Sequence, residues 1–233
     1  MKTTLAALSA GLCLAAAAAH AATVTLDFDG LDGRATVNER ILDFYAGGQG
    51  SAGSAGGPDF GITFSPEAVA ICAFPACISS NVAGAPSGPN VLGVLPDTTA
   101  VMNIAGGFDQ ALQFMWMTTT TAHVTLWSGL GGTGTMLNGV TLFGQPSGSN
   151  ADGCSGRTFC PFLPASVQAL GVVHSITFEN FTHGVIDDLT LFGAAGGNPD
   201  AVPEPGAWAL MISGFGLAGA ALRRRRRRTL VAA

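Results

Sequence analysis

The sequence predicts an all-β protein: an antiparallel β-sandwich, jelly-roll-like, flanked by a signal peptide and a single C-terminal transmembrane helix. Three observations predict the sandwich. Apolar residues recur at every second position through the middle of the chain. Clusters of Gly, Pro, Asn and Ser punctuate these runs, and no central stretch shows a helical period. The first run, Thr23 to Asp29, places Val24, Leu26 and Phe28 on one face. Comparable runs occupy 61–65, 91–95, 101–104, 111–117, 123–127, 136–143, 175–181 and 185–192, with turn signals such as Gly106-Gly107 and 129–134 between them. The Gly/Ser/Ala-rich segment 47–57 reads as a mobile surface loop.

Composition narrows the setting. Charged residues make up 11% of the 233, well under the roughly 25% of ordinary soluble domains. Between Ala22 and Val202 three arginines (Arg34, Arg40, Arg157) stand against fourteen Asp and Glu, a net charge of −11. Such a domain has little to exchange for counterions on phosphate, which excludes nucleic acid as a partner. At the N-terminus Lys2 precedes an apolar stretch from Leu5 to Ala19 and a small-x-small pattern, Ala19-His20-Ala21. This is a secretory signal with cleavage expected after Ala21.

The C-terminus reads in three parts: Pro203-Glu204-Pro205, an apolar run to Leu222 containing Trp208 and Ala209, and the basic block Arg223, Arg224, Arg225, Arg226, Arg227 and Arg228. Gly206 to Leu222 spans 17 uncharged residues, about 25 Å as a helix, the short limit for a bilayer core. The positive-inside rule keeps the arginines cytoplasmic and the acidic domain outside, with Trp208 at the opposite interface. The expected divisions are a signal peptide at 1–21, a sandwich domain at 22–193, a linker at 194–202 and an anchor at 203–233.

This tail, PEPGAWALMISGFGLAGAALRRRRRR, resembles the PEP-CTERM sorting signal in its PEPxxWA form. The resemblance implies that exosortase, a multi-pass membrane enzyme, reads Pro203, Glu204, Pro205, Trp208 and Ala209 and removes the tail near the Pro-Glu-Pro element. It further implies transient anchoring in the inner membrane with the domain in the periplasm, then transfer to the cell surface or extracellular matrix. A structural or adhesive role within exopolysaccharide follows as the expectation. The phrases Leu26-Asp27-Phe28-Asp29-Gly30-Leu31, Tyr45-Ala46-Gly47-Gly48, Val124 to Gly129 and Ile186 to Leu191 are similar to sandwich domains that precede such tails, which implies a carbohydrate-module-like domain. A carbohydrate-binding module with a defined glycan ligand is the alternative expectation.

Export places Cys72, Cys77, Cys154 and Cys160 in an oxidising compartment. Spacings of five and six favour two local bridges, with a cross-linked pairing as the rival. Asp27, Asp29 and Asp32 end the first run, and Asp187-Asp188 begin the last. If those strands are neighbours, the carboxylates are either solvated strand ends or a structural calcium site, although the EF-hand pattern fails because Leu31 stands where an oxygen ligand belongs. No other cofactor is expected. Trp127 shares a face with His123 and Thr125, opposite Val124 and Leu126, and Tyr45 precedes Gly47-Gly48. These two rings are the candidate sugar platforms, whereas Trp116 groups with Leu112 and Phe114 as core. The chain has no GxSxG, HExxH or Walker pattern, and His123, His174 and His183 stand in no motif. A non-enzyme is expected, with a secreted hydrolase the remote alternative.

Overall fold

The computed structural model describes residues 22–34, 38–148, 153–194 and 213–215. Ten strands build the domain: β1 (Ala22–Leu26), β2 (Ile62–Phe64), β3 (Ala68–Cys72), β4 (Asn90–Val94), β5 (Thr99–Thr118), β6 (Ala122–Trp127), β7 (Met136–Leu142), β8 (Leu163–Gln168), β9 (Val173–Glu179) and β10 (Gly184–Ala194). Every strand pair is antiparallel. The organising strand is β5, whose two halves belong to different layers. Its first half pairs with β2 and β9, and β9 carries β6 and then β7. Its second half pairs with β8 and β10, and β10 carries β4–β3 beside its start and β1 along its end.

Alternation explains why the two layers close. Along β6 buried and half-buried residues alternate strictly, so Ala122, Val124 and Leu126 face inward. On β5, Ala100, Met102 and Ile104 point inward before the bend, and Leu112, Phe114 and Trp116 after it. These side chains join Val24, Leu26, Phe28, Ile176, Phe178, Leu189 and Leu191 in one core. Each large apolar side chain so buried contributes roughly 1.5–3 kcal/mol relative to exposure.

Four sequence expectations need correction. Segments 101–104 and 111–117 are one strand, and Gly106-Gly107 is not a turn but an irregularity where the register between β5 and β9 shifts. Gly107 takes φ +72°, and a Cβ there would stand 2.7 Å from Cγ1 of Val172, so the bend requires glycine. Strands β3 and β8 occupy segments not expected to be strands. Ala194, expected as the first linker residue, ends β10 and pairs with Ala22 and Phe108.

The segment 47–57 is a tied loop, not a free one. Glu39 is fully buried and accepts hydrogen bonds from the backbone N–H groups of Asp32, Ala52 and Ser54 and from Ser54 Oγ. One ionised side chain therefore satisfies several backbone donors that a loop would otherwise leave to water.

Tyr45 is only 2% exposed and offers no platform to a ligand. Its ring packs among Phe28, Phe44, Phe60 and Phe64 with centroids 5.1–6.4 Å apart, and its hydroxyl accepts the Phe28 N–H at 2.8 Å. Burial pushes the phenol well above its ordinary pKa, so the hydroxyl stays protonated.

Cys72 bonds Cys77 and Cys154 bonds Cys160, both local. The two loops nonetheless meet. Phe74 bridges to Ala83, Val82 bridges to Phe159, and the Arg157 guanidinium lies 4.7 Å over the Phe74 ring. Among the described residues no helix is long and apolar enough to cross a membrane. The expected signal peptide, linker, sorting motif and arginine block lie outside the described residues, as does the expected span apart from helical Ser213–Phe215.

Candidate functional site

Three surfaces collect the residues singled out by sequence. The first is acidic. Strands β1 and β10 are neighbours, with Leu26 opposite Leu189, so Asp27 and Asp29 come to the same end of the sandwich as Asp187 and Asp188. Asp187 is fully buried and both of its oxygens are engaged. Ser87 donates from its N–H at 3.1 Å and from Oγ at 3.2–3.3 Å, and the Asp188 N–H donates at 2.8 Å. Asp29 accepts the Asn90 N–H at 3.1 Å, while Asn90 Nδ2 donates to the Leu31 carbonyl at 2.7 Å. Gly88 lies flat against Asp29, since a Cβ there would come within 1.8 Å of Oδ2. The carboxylates therefore clasp the segment 87–90, which leads into β4.

Calcium takes six to eight oxygen ligands, and both oxygens of Asp187 already accept N–H and O–H groups. Among the described residues no group of three or more His, Cys, Asp or Glu is placed to hold a metal. Burial instead pushes the Asp187 carboxyl up to about 7, against the hydrogen bonds from Ser87 and Asp188, with the Asp188 charge adding to the rise. Asp29 moves the same way, first through burial, with Asp27 and Asp188 adding repulsion. Glu39 moves oppositely: burial disfavours its charge, but the bonds from Ser54, Asp32 and Ala52 outweigh that and hold it below the usual range.

The second surface is the outer face of β5, β9, β6 and β7. Register aligns Thr99, Glu179, His123 and Thr141 in one row, and Val101, Thr177, Thr125 and Gly139 in the next. Trp127 stands in the third row with Asn103 and Ser175. It is half-buried, and its Nε1 donates to Thr177 Oγ1 at 3.1 Å. Thr177 Oγ1 in turn donates to Glu179 at 3.3 Å. The loop after β6 folds over this face: the Gly131 N–H donates to Asn103 Oδ1 and the Gly132 N–H to Ser175 Oγ. The indole thus has an apolar ring on a polar face, with a hydroxyl on its N–H and a carboxylate one hydrogen bond further on. Glu179, Thr177 and the covering loop were not apparent from sequence, because they reach Trp127 through pairing across β9.

The third surface is the outer face of the other layer, where Thr25, Thr190, Gln113 and Ser166 form one register row beside an open concavity of about 500 Å3. It is polar, and the aromatic ring beneath it, Phe114, belongs to the core.

Residues 201–227 match the model of the PEP-CTERM protein-sorting motif, so the chain carries this signal, and the motif implies processing by exosortase. No curated protein matches the chain. Among solved structures, the chain is similar to the K2 cleaved adhesin domain of Lys-gingipain at 10% identity, over 73% of this chain and 99% of that one, with a TM-score of 0.44. It is also similar to a family 29 carbohydrate binding module (10% identity, 50% of this chain, 73% of that one, TM-score 0.32). A third similarity is to CsCBM6-3 from Clostridium stercorarium, solved in complex with cellobiose (16% identity, 56% and 84% coverage, TM-score 0.33). Overlaps this partial assign no ligand to this chain.

The carboxylates set a pH profile. The folded Asp187 binds its proton more tightly than the unfolded chain does, so its contribution to stability is complete below about pH 4 and lost as pH rises toward 7. Glu39 works oppositely, losing its contribution as pH falls through the acid range below its ordinary value. Thermal melting should therefore show greatest stability near pH 4, declining toward pH 7 by up to about 1.4 kcal/mol per pH unit across the Asp187 window. Asp187→Asn should flatten that decline; a variant keeping the wild-type slope would assign the slope to another group.

Proposed function

We propose that the chain is an exported, surface-destined sandwich protein of jelly-roll type. Exosortase sorts it through its C-terminal signal, and it acts structurally or adhesively in an exopolysaccharide matrix. The observation that carries this reading is the motif match over 201–227. Within it, Pro-Glu-Pro, an uncharged run and five of the six arginines follow in the order a sorting enzyme in the membrane would require. The route starts with export by residues 1–21, pauses with the arginines cytoplasmic and the domain in the periplasm, and ends at the surface after the tail is cut. The domain suits such a life. Two local disulfides fix its loops, and a net charge of −11 between Ala22 and Val202 keeps it soluble among anionic polymers.

The reading is non-catalytic. The three histidines of the domain serve separate elements: His123 meets Thr141 Oγ1 at 3.2 Å, His174 meets the Ile104 carbonyl at 3.3 Å, and His183 closes the 3-10 turn Phe181–His183 before β10. A second reading, glycan recognition, is supported by Trp127, whose half-buried indole lies on a polar outer face with its N–H held by Thr177.

Two experiments test these readings. Deleting residues 203–233 should strip the chain from the inner-membrane fraction and abolish its accumulation at the surface; an unchanged surface address would refute sorting by the tail. On a glycan array, Trp127→Ala should weaken any bound polysaccharide about tenfold while the melting temperature moves by only a few degrees. Undiminished binding by that variant would remove the indole from the ligand site.

A further inference from the structure

Among the described residues of the β-domain, six large apolar side chains are more than half exposed: Ile78, Leu130, Met136, Phe143, Leu170 and Val172. Four of them sit at one end of the sandwich, where β5 bends. Leu130 belongs to the β6–β7 connection and Met136 opens β7, and Gly131 in that connection is bonded to Asn103, just before the bend. Leu170 and Val172 form the tip between β8 and β9, and Val172 lies against Gly107. The two tips are joined. Asn138 Nδ2 donates to the Gln168 carbonyl at 2.8 Å, and Gly171 packs against half-buried Leu137. The exposures are 55% for Leu130, 62% for Met136, 69% for Leu170 and 51% for Val172. Apolar tips this exposed, grouped on one end, are a surface waiting for an apolar partner.

The chain leaves the domain at the same end. Ala194, the last residue of β10, pairs with Phe108 immediately after the bend, and Ala22 pairs with Ala194. Eight residues, 195–202, separate Ala194 from Pro203. With Pro203, Glu204 and Pro205 added, the chain from Ala194 to Gly206, where the expected span begins, reaches about 40 Å at full extension, so a tail held in a bilayer keeps this end of the domain within that distance of the lipid. The opposite end carries the acidic clasp and both disulfide loops.

We infer that, while the tail is membrane-inserted, the tips bearing Leu130, Met136, Leu170 and Val172 rest on the lipid surface and hold the domain in a fixed orientation. This inference rests on the reading of the tail as an anchor. The partner is the apolar boundary of the bilayer and not its charge. The three arginines of the domain lie elsewhere: Arg34 pairs with Asp32, Arg40 lies beside Val69 of β3, where their backbones bridge, and Arg157 lies over Phe74. Asp59 and Asp109 are exposed near the bend, on Gly61 and Gly193 respectively, and would be repelled by anionic headgroups. Contact therefore depends on insertion of apolar side chains into the headgroup boundary. A tether of this length supplies an effective concentration of millimolar order, so an intrinsically weak contact suffices. Once the tail is cut, that advantage disappears and the domain is free to leave.

The test uses the full chain reconstituted in phosphatidylcholine vesicles containing nitroxide-labelled headgroups. A fluorophore is placed at Leu170→Cys or, as a control at the far end, at Phe143→Cys. Phe143 is 69% exposed beside Thr119 and Gln145. Quenching should be several-fold stronger at position 170 than at 143 and unchanged by high salt. Adding Met136→Ser and Val172→Ser to the Leu170→Cys chain should bring it to the level of the control. Both positions are exposed, so the fold is retained, which an unchanged melting temperature checks. Equal quenching at 170 and 143 in chains that float with the vesicles would overturn the docking and leave the anchor standing. Chains that fail to float would overturn the anchor and the docking with it. Shielding of position 170 that grows with the protein-to-lipid ratio would mean that a second copy covers the tips, and would also overturn it.

Discussion

The bend in β5 is the constraint from which the rest of the domain follows. A strand of 20 residues cannot stay in one twisted sheet of this size, and here its halves serve different layers. The irregularity at 105–107 lets Ile104 and Phe108 both point into the core while the strand changes neighbours. Because β9 begins and β10 ends at that bend, the domain's first strand, its last strand, the β6–β7 hairpin tip and the β8–β9 connection converge there.

That convergence makes the two ends of the sandwich chemically different. At the bend four exposed apolar side chains stand together, with Asp59 and Asp109 as the charges nearby. At the far end, carboxylates, backbone N–H groups and disulfide loops build a polar, covalently fixed surface. Asp187 there retains a buried carboxyl group on which Ser87 and Asp188 converge, and its pKa is raised because burial outweighs the bonds that tie β10 to the segment leading into β4. Glu39 plays the corresponding part for the 50–54 loop, but with enough donors to favour its charge. The two groups show why burial alone does not set the direction of a shift. The balance of desolvation against hydrogen bonds does.

Much of this was legible in the sequence wherever the determining interactions are local. Alternation revealed β1, β6 and the inward faces of β5, and short spacing favoured the two bridges found. The pairing of the first and last strands, posed as a condition, is realised. What was hidden depends on distant partners. Gly106-Gly107 has the local signature of a turn, and only its pairing with β9 and β10 makes it a bend within a strand. The β8 segment carries Pro164, which argues against a strand until its place at the edge beside β5 is known. Tyr45 followed by Gly47-Gly48 suggested an exposed ring, yet Phe28, Phe60 and Phe64 close over it from other segments. The acids were visible in the sequence, but not the backbone donors that Asp29 and Asp187 accept from. Ser87 stands 100 residues from Asp187, and no local pattern connects them.

The account as a whole rests on the tail being read and removed. Intact-mass measurement of the protein recovered from the cell surface addresses this directly. The expected result is a mature chain that begins at Ala22 and ends close to Pro203-Glu204-Pro205, and that extends to Ala233 and stays with the inner membrane when those three residues are changed to Ala. Surface protein that retains the apolar run and Arg223 to Arg228 would contradict it.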